Sequence, residues 1–195
     1  MTDYFTGKDE VLSNKLGIKD KELLENAEAD IVFIRLAELG YRPLQGDFDF
    51  AHLKRIHKHL FSDIYPFAGK VRKKDIAKEG SVFCYTKFIE PTQKEIFKKL
   101  KDNNYLVGLE REEFAQMLAE LSADLNALHP FREGNGRTIR FFLTQVAKNA
   151  GFEIAFENIE KQELIAADIK AFTGDILPLI KLYKSAITKS EDWEL

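Results

Sequence analysis

The sequence predicts a mainly helical single domain carrying one short β-hairpin. Apolar residues recur at helical spacing along most of the chain, and the pattern turns β-branched and aromatic only between Gly69 and Phe88. The 195 residues, 45% hydrophobic with 16 Phe, are enough for one real core. Residues 1–195 therefore read as one domain, with its core over about 47–170, an N-terminal helical segment over 10–40 and C-terminal helices over 160–188.

The first helix carries Leu24, Ala27, Ile31 and Ile34, with Asp20 as its N-cap and Gly40 at its end. Asp49 caps a second, which turns Leu53, Ile56 and Leu60 inward. Pro91 suits a first-turn position, so a third helix is expected to open there and run through Ile96, Phe97 and Leu100. Between the second and third, Val71, Ile76, Val82 and Phe83 flank the turn Glu79-Gly80-Ser81, which predicts a hairpin. The clearest stripe is Phe114, Met117, Leu118, Leu121, Leu125 and Leu128, which runs into His129 and is broken by Pro130. Another helix begins at the glycines that follow and carries Ile139, Phe142, Leu143, Val146 and Ala147 up to Gly151. Helices around Leu164 to Ala171 and Leu177 to Ile187, separated by Thr173-Gly174-Asp175, close the chain before a polar tail from Thr188.

With 29 basic and 32 acidic side chains the net charge is −3, and no block of like charge suggests a membrane or direct nucleic-acid partner. A protein target is expected instead. The single cysteine, Cys84, excludes an internal disulfide and reads as a small apolar strand residue. The N-terminus has neither a basic nor an apolar leader, so a reducing cytoplasmic setting is expected. His52, His57 and His59 lack the i, i+4 spacing of a helical zinc site and read as partly exposed helix residues.

One stretch concentrates chemistry: His129-Pro130-Phe131-Arg132-Glu133-Gly134-Asn135-Gly136-Arg137-Thr138-Ile139-Arg140. Backbone N–H groups at a helix start have no intrahelical partner and lie at the positive end of the dipole, so Gly134, Asn135 and Gly136 there form an anion nest. Arg137 and Arg140, three apart, share a helix face, and two guanidinium forks suit two phosphates. Arg140 alone could equally pair with a carboxylate on a neighbouring helix. Glu133 is the one well-placed carboxylate for a Mg²⁺ ion that takes its other ligands from phosphate and water. His129, with an ordinary pKa near 6.5, is the candidate general base for a protein hydroxyl. Phe131 is expected to plug into the core and fix the loop.

His129, Pro130, Phe131, Gly134, Asn135, Gly136, Arg137 and Arg140 match the signature of the Fic family, and Glu133 falls where its AMP-transferring members carry an acidic residue. Eight such matches arise by chance with a probability on the order of 10⁻¹⁰ per start site. The chain thus resembles Fic proteins, and the order of its elements resembles the Fic fold, a helical domain with a hairpin flap beside the active loop. The resemblance implies a protein adenylyltransferase: ATP bound at the nest and arginines, His129 as base, Mg²⁺ on Glu133, and AMP moved to a Ser, Thr or Tyr hydroxyl. Transfer of another phosphate-containing group or removal of AMP stays open, as does a nucleotide-regulated protein-binding module. The resemblance also implies that the flap docks the target by strand addition, here through Lys73, Lys74, Asp75, Ile76, Ser81, Val82 and Phe83. Ile76 either clamps the modified side chain or packs the hairpin. Short stand-alone members resemble toxins that act on topoisomerase subunits, which makes such subunits the target by analogy. In the family an inhibitory Ser or Thr, three residues, then Glu and Gly or Asn denies the second arginine to the γ-phosphate. The looser pattern occurs here at Thr6/Glu10, Thr86/Glu90 and Ser190/Glu194 without the small residue. A separate small antitoxin-like protein is therefore expected to supply the glutamate to Arg140.

Overall fold

A computed structural model describes residues 5–6, 11–78 and 81–190, and it is mainly helical with short antiparallel strand pairs. The chain forms two compact units, one of residues 1–71 with 131–134 and one of residues 72–130 with 135–195.

In the first unit, β1 (Phe5–Thr6) pairs with β2 (Val11–Leu12), and α1 (Lys21–Tyr41) packs on α2 (Phe50–Phe61). Both predicted caps are present: Asp20 Oδ1 accepts from the Leu23 N–H at 2.8 Å and Asp49 Oδ1 from the His52 N–H at 2.7 Å. Leu53, Ile56 and Leu60 are fully buried, as the stripe in α2 predicts. The stripe in α1 differs. Leu24, Glu28, Val32 and Leu39 face inward, whereas Ile34 is exposed. Burying Glu28 is possible because the Tyr65 hydroxyl donates to its carboxylate. Gly40 does not end the helix, which runs one residue further. Arg42 then turns extended (φ −134°, ψ 78°) because Pro43 clashes with a helical residue before it.

The second unit is built around α4 (Arg111–Leu128), which packs against α3 (Thr86–Asp102), α5 (Asn135–Asn149), α6 (Lys161–Phe172) and α7 (Leu177–Ala186). Phe114, Leu118, Leu121, Leu125 and Leu128 are buried along it, and Ile139, Phe142, Leu143, Val146 and Ala147 along α5. Pro91 lies inside α3 rather than at its start. The helix begins earlier because the Asp75 carboxylate accepts the Thr86 N–H at 2.7 Å and caps it from outside. The flap is the pair β3 (Ala77–Lys78) and β4 (Ser81–Val82); the expected turn residues Glu79 and Gly80 lie outside the described residues. Cys84 falls past β4 rather than in it. The tail expected from Thr188 is instead part of β6 (Ile187–Lys189), paired with β5 (Phe152–Ile154). Among the described residues no helix is long and apolar enough to cross a membrane.

Candidate active site

In the second unit, α4 hands the chain to His129, whose backbone is left-handed (φ 44°, ψ 60°). Its N–H still donates to the Leu125 carbonyl at 3.1 Å, so the helix ends on a satisfied group. The imidazole Nδ1 lies 3.2 Å from the Asn126 carbonyl. A carbonyl only accepts, so the proton sits on Nδ1 and the ring lone pair is on Nε2, the tautomer a general base needs. The ring stacks on Phe83 with centroids 3.7 Å apart and planes inclined by 17°. That position separates Phe83 from the rest of the flap: Val82 is 47% exposed, and Lys73, Lys74 and Asp75 face solvent, while Ile76 is half-buried. Ser81 pairs with Lys78 across the hairpin. Asp75, by capping α3, has its carboxyl held below the usual range, the Thr86 N–H being the first cause.

Helix α5 opens at Asn135, which is buried, followed by the exposed Gly136. A methyl group on Gly136 would stand 3.2 Å from Arg140 Nη1, so that guanidinium reaches back beside the helix N-terminus. Among the described residues it makes no ion pair or hydrogen bond there. Burial pulls its pKa down, and Arg137 on the same face adds a like charge, while Tyr183 and Asp168 act the other way. An unpaired cation beside backbone N–H groups is poised for an anion. Asp168, on α6, is largely buried, its Oδ1 has no hydrogen-bond partner among the described residues, and burial pushes its pKa up to about 6 against the pull of Arg140. Tyr183 donates to Ser122 Oγ at 2.7 Å, and burial raises its phenol.

In the first unit, Phe131 is fully buried, as expected, and stacks on His57 at 3.9 Å between centroids. His57 is not a partly exposed helix residue. It is 0% exposed, takes the Gly69 N–H on Nδ1 at 2.8 Å and donates from Nε2 to the Glu133 carbonyl at 2.9 Å. His52 is likewise buried, donating to the Leu44 carbonyl at 3.0 Å, and burial lowers its pKa; His59, half-exposed, fits the expectation. Glu133 Oε1 accepts the Gly134 N–H at 2.9 Å, and Glu133 lines a cavity of about 280 Å³ with Arg132, Glu28 and Tyr65. Gly134 has φ 77°, and a methyl group there would stand 2.3 Å from Phe61 Cζ, so both backbone and space demand glycine.

The residue that sequence reasoning misses is Arg72. Its wholly buried side chain donates from Nε to the His129 carbonyl at 2.8 Å, from Nη1 to the Lys74 carbonyl at 3.0 Å and from Nη2 to the Cys84 carbonyl. Its own N–H donates to the Pro130 carbonyl at 2.9 Å. In Val71-Arg72-Lys73-Lys74 it looks like one of three solvated cations, and nothing local distinguishes it.

Residues 47–147 match the Fic/DOC family. Protein adenylyltransferase VbhT of Bartonella schoenbuchensis is 44% identical over 174 residues, 89% of this chain and 36% of that protein. The chain thus spans little more than a third of VbhT. It covers 92% of the Escherichia coli K12 protein named "Probable protein adenylyltransferase Fic", at 31% identity over 95% of its own length. Among solved structures, BepC of Bartonella tribocorum with bound AMPPNP has a TM-score of 0.92 at 28% identity, covering 96% of this chain and 97% of that one. The N-terminal Fic domain of a Bartonella quintana effector with bound ADP has a TM-score of 0.93 at 30% identity, covering 96% and 95%. The chain belongs to the Fic/DOC family.

Proposed function

We propose that the protein is an adenylyltransferase that moves AMP from ATP to a Ser, Thr or Tyr hydroxyl of a target protein. The terminal phosphates sit at the N-terminus of α5 with Asn135, Gly136, Arg137 and Arg140, and Gly134 supplies the turn before it. His129 takes the hydroxyl proton on Nε2. The oxygen attacks the α-phosphorus, the bond from that phosphorus to the bridging oxygen breaks, and pyrophosphate leaves. The observation that carries this reading is the Arg140 guanidinium, largely buried, unpaired among the described residues and turned to the helix N-terminus beside Gly136. No carboxylate among the described residues lies within salt-bridge distance of it, which supports phosphate over a carboxylate partner even with Asp168 exerting a longer-range pull. The names of the relatives and the nucleotides in the solved structures support the same conclusion.

Glu133 fits a Mg²⁺ ion: it is a hard oxygen donor, half-exposed, and anchored through the Gly134 N–H. No group of three His, Cys, Asp or Glu among the described residues forms a protein cage, so the remaining ligands would be phosphate and water. Bound there, the ion would neutralise phosphate charge.

The target docks on the flap as an added strand. The Phe83 N–H donates to the Ile76 carbonyl at 3.3 Å, so the adjacent pair Ala77 and Val82 is not hydrogen-bonded and the Val82 N–H points outward. A topoisomerase subunit fits this only by analogy with toxin-type members. A small antitoxin-like protein would restrain the enzyme by delivering a glutamate to Arg140. Of the glutamates in the looser pattern, Glu90 is exposed on α3 and pairs with Lys94 at 3.1 Å; Glu10 and Glu194 lie outside the described residues. The single cysteine accords with a cytoplasmic enzyme.

His129→Ala tests the reading. Label transfer from α-labelled ATP should fall at least roughly 10²–10⁴-fold while ATP affinity stays near wild type, because a base acts in the transition state. A loss of affinity as large as the loss of rate would overturn it.

A further inference from the structure

The structure assigns Arg72 the part of a positioning residue for His129, joining both roots of the flap to the peptide that carries the imidazole. This rests on His129 being the base of the proposed transfer. The guanidinium has five donors in a rigid planar fork, and here they meet carbonyls arriving from three directions: Lys74 before β3, Cys84 after β4, and His129. A lysine ammonium could satisfy some of these acceptors without the fixed angles between them. Asp75 stands 3.9 Å away and is itself committed to the Thr86 N–H, whereas the His129 and Lys74 carbonyls take the guanidinium at 2.8 and 3.0 Å.

The position of the imidazole follows from this clamp. A non-glycine residue at φ 44° persists only where its surroundings over-determine it. Around His129 those surroundings include the Leu125 carbonyl on the N–H, the Asn126 carbonyl on Nδ1, the Phe83 ring on one face and Arg72 on the carbonyl. The last two come from the flap and its clamp. The Cys84 N–H adds a further tie, donating to the Ala127 carbonyl at 3.0 Å near the end of α4. A strand docked on β4 therefore bears on the same short segment that stacks on the base, and Arg72 fixes the distance between them.

Arg72→Lys in the full chain is the test, read by single-turnover automodification with α-labelled ATP, by ATP affinity, and by proton NMR of the imidazole. The stack on Phe83 should shift the His129 ring protons upfield in the wild type. The variant should lose about 10²-fold in rate, the scale of a displacement of about an ångström at the reacting group, with ATP affinity within about twofold. Its ring protons should move back toward ordinary positions, which a merely stabilising role would not cause. A folded Arg72→Lys protein with an unmoved imidazole, or with rate and ATP affinity falling together, overturns the assignment. His129→Ala that still transfers label removes the base reading itself, a distinct failure. Should the variant not fold, amide exchange in the wild type decides: the Arg72, Cys84 and His129 N–H groups should open as one unit, and rates of opening that differ by more than about 10²-fold would refute the clamp.

Discussion

Replacing Asp168 with asparagine should stabilise the protein above neutral pH and leave it nearly unchanged in acid. The carboxyl is largely buried on α6, Oδ1 has no hydrogen-bond partner among the described residues, and burial raises its pKa from 3.8 to about 6 despite the attraction of Arg140. Between those two values the folded protein holds a proton that the unfolded chain has released. Stability contributed by the group is therefore fully present below about pH 4 and is lost as pH rises to about 6, staying lost beyond it. A displacement of roughly two pH units, at about 1.4 kcal/mol each, makes the ionised carboxylate cost about 3 kcal/mol. A carboxamide does not titrate and leaves a similar oxygen in place, so Asp168→Asn should gain about 1–3 kcal/mol at pH 8 and close to none at pH 4. Urea denaturation of both proteins at the two pH values measures this as a shift in midpoint with unchanged slope. The variant should also bind ATP more tightly at pH 8, because a negative charge that competes with phosphate for Arg140 is gone. A variant no more stable at pH 8 than at pH 4, relative to wild type, would refute the burial argument.

Gly134→Ala should destabilise the protein by roughly 2–4 kcal/mol, combining the left-handed φ with a methyl group forced into Phe61; a thermal shift of less than about 2 °C would contradict the geometry. Val82→Pro deletes an N–H that points away from β3, so it should block modification of a target protein while leaving ATP affinity intact, and unimpaired target modification would rule out strand addition.

What the sequence reveals here divides along physical lines. The caps Asp20 and Asp49, the α2 stripe and the turn from α4 through His129 into α5 are settled by local forces: a side-chain oxygen three residues from a backbone N–H, or apolar spacing on one helix. The Arg140 alternative stays open at that level because pairing is a tertiary fact. Pro91 misleads because its helix is capped from Asp75, eleven residues upstream of Thr86. Strand β6 is invisible as a strand because its partner β5 lies more than thirty residues away and each contributes three residues. Arg72 and His57 are misread for one reason: a buried polar side chain is recognised by the carbonyls that surround it, and those come from distant turns. The α1 stripe fails at Glu28, where a tyrosine hydroxyl makes an acid tolerable inside.

The most direct measurement of the central claim compares ATP labelled at the α-phosphate with ATP labelled at the γ-phosphate, each incubated with the protein, Mg²⁺ and a cell extract. Transfer of AMP puts the α label, and no γ label, on protein in a His129-dependent manner, with pyrophosphate as the other product. Label arriving from the γ position instead would mean phosphate transfer and would contradict the account.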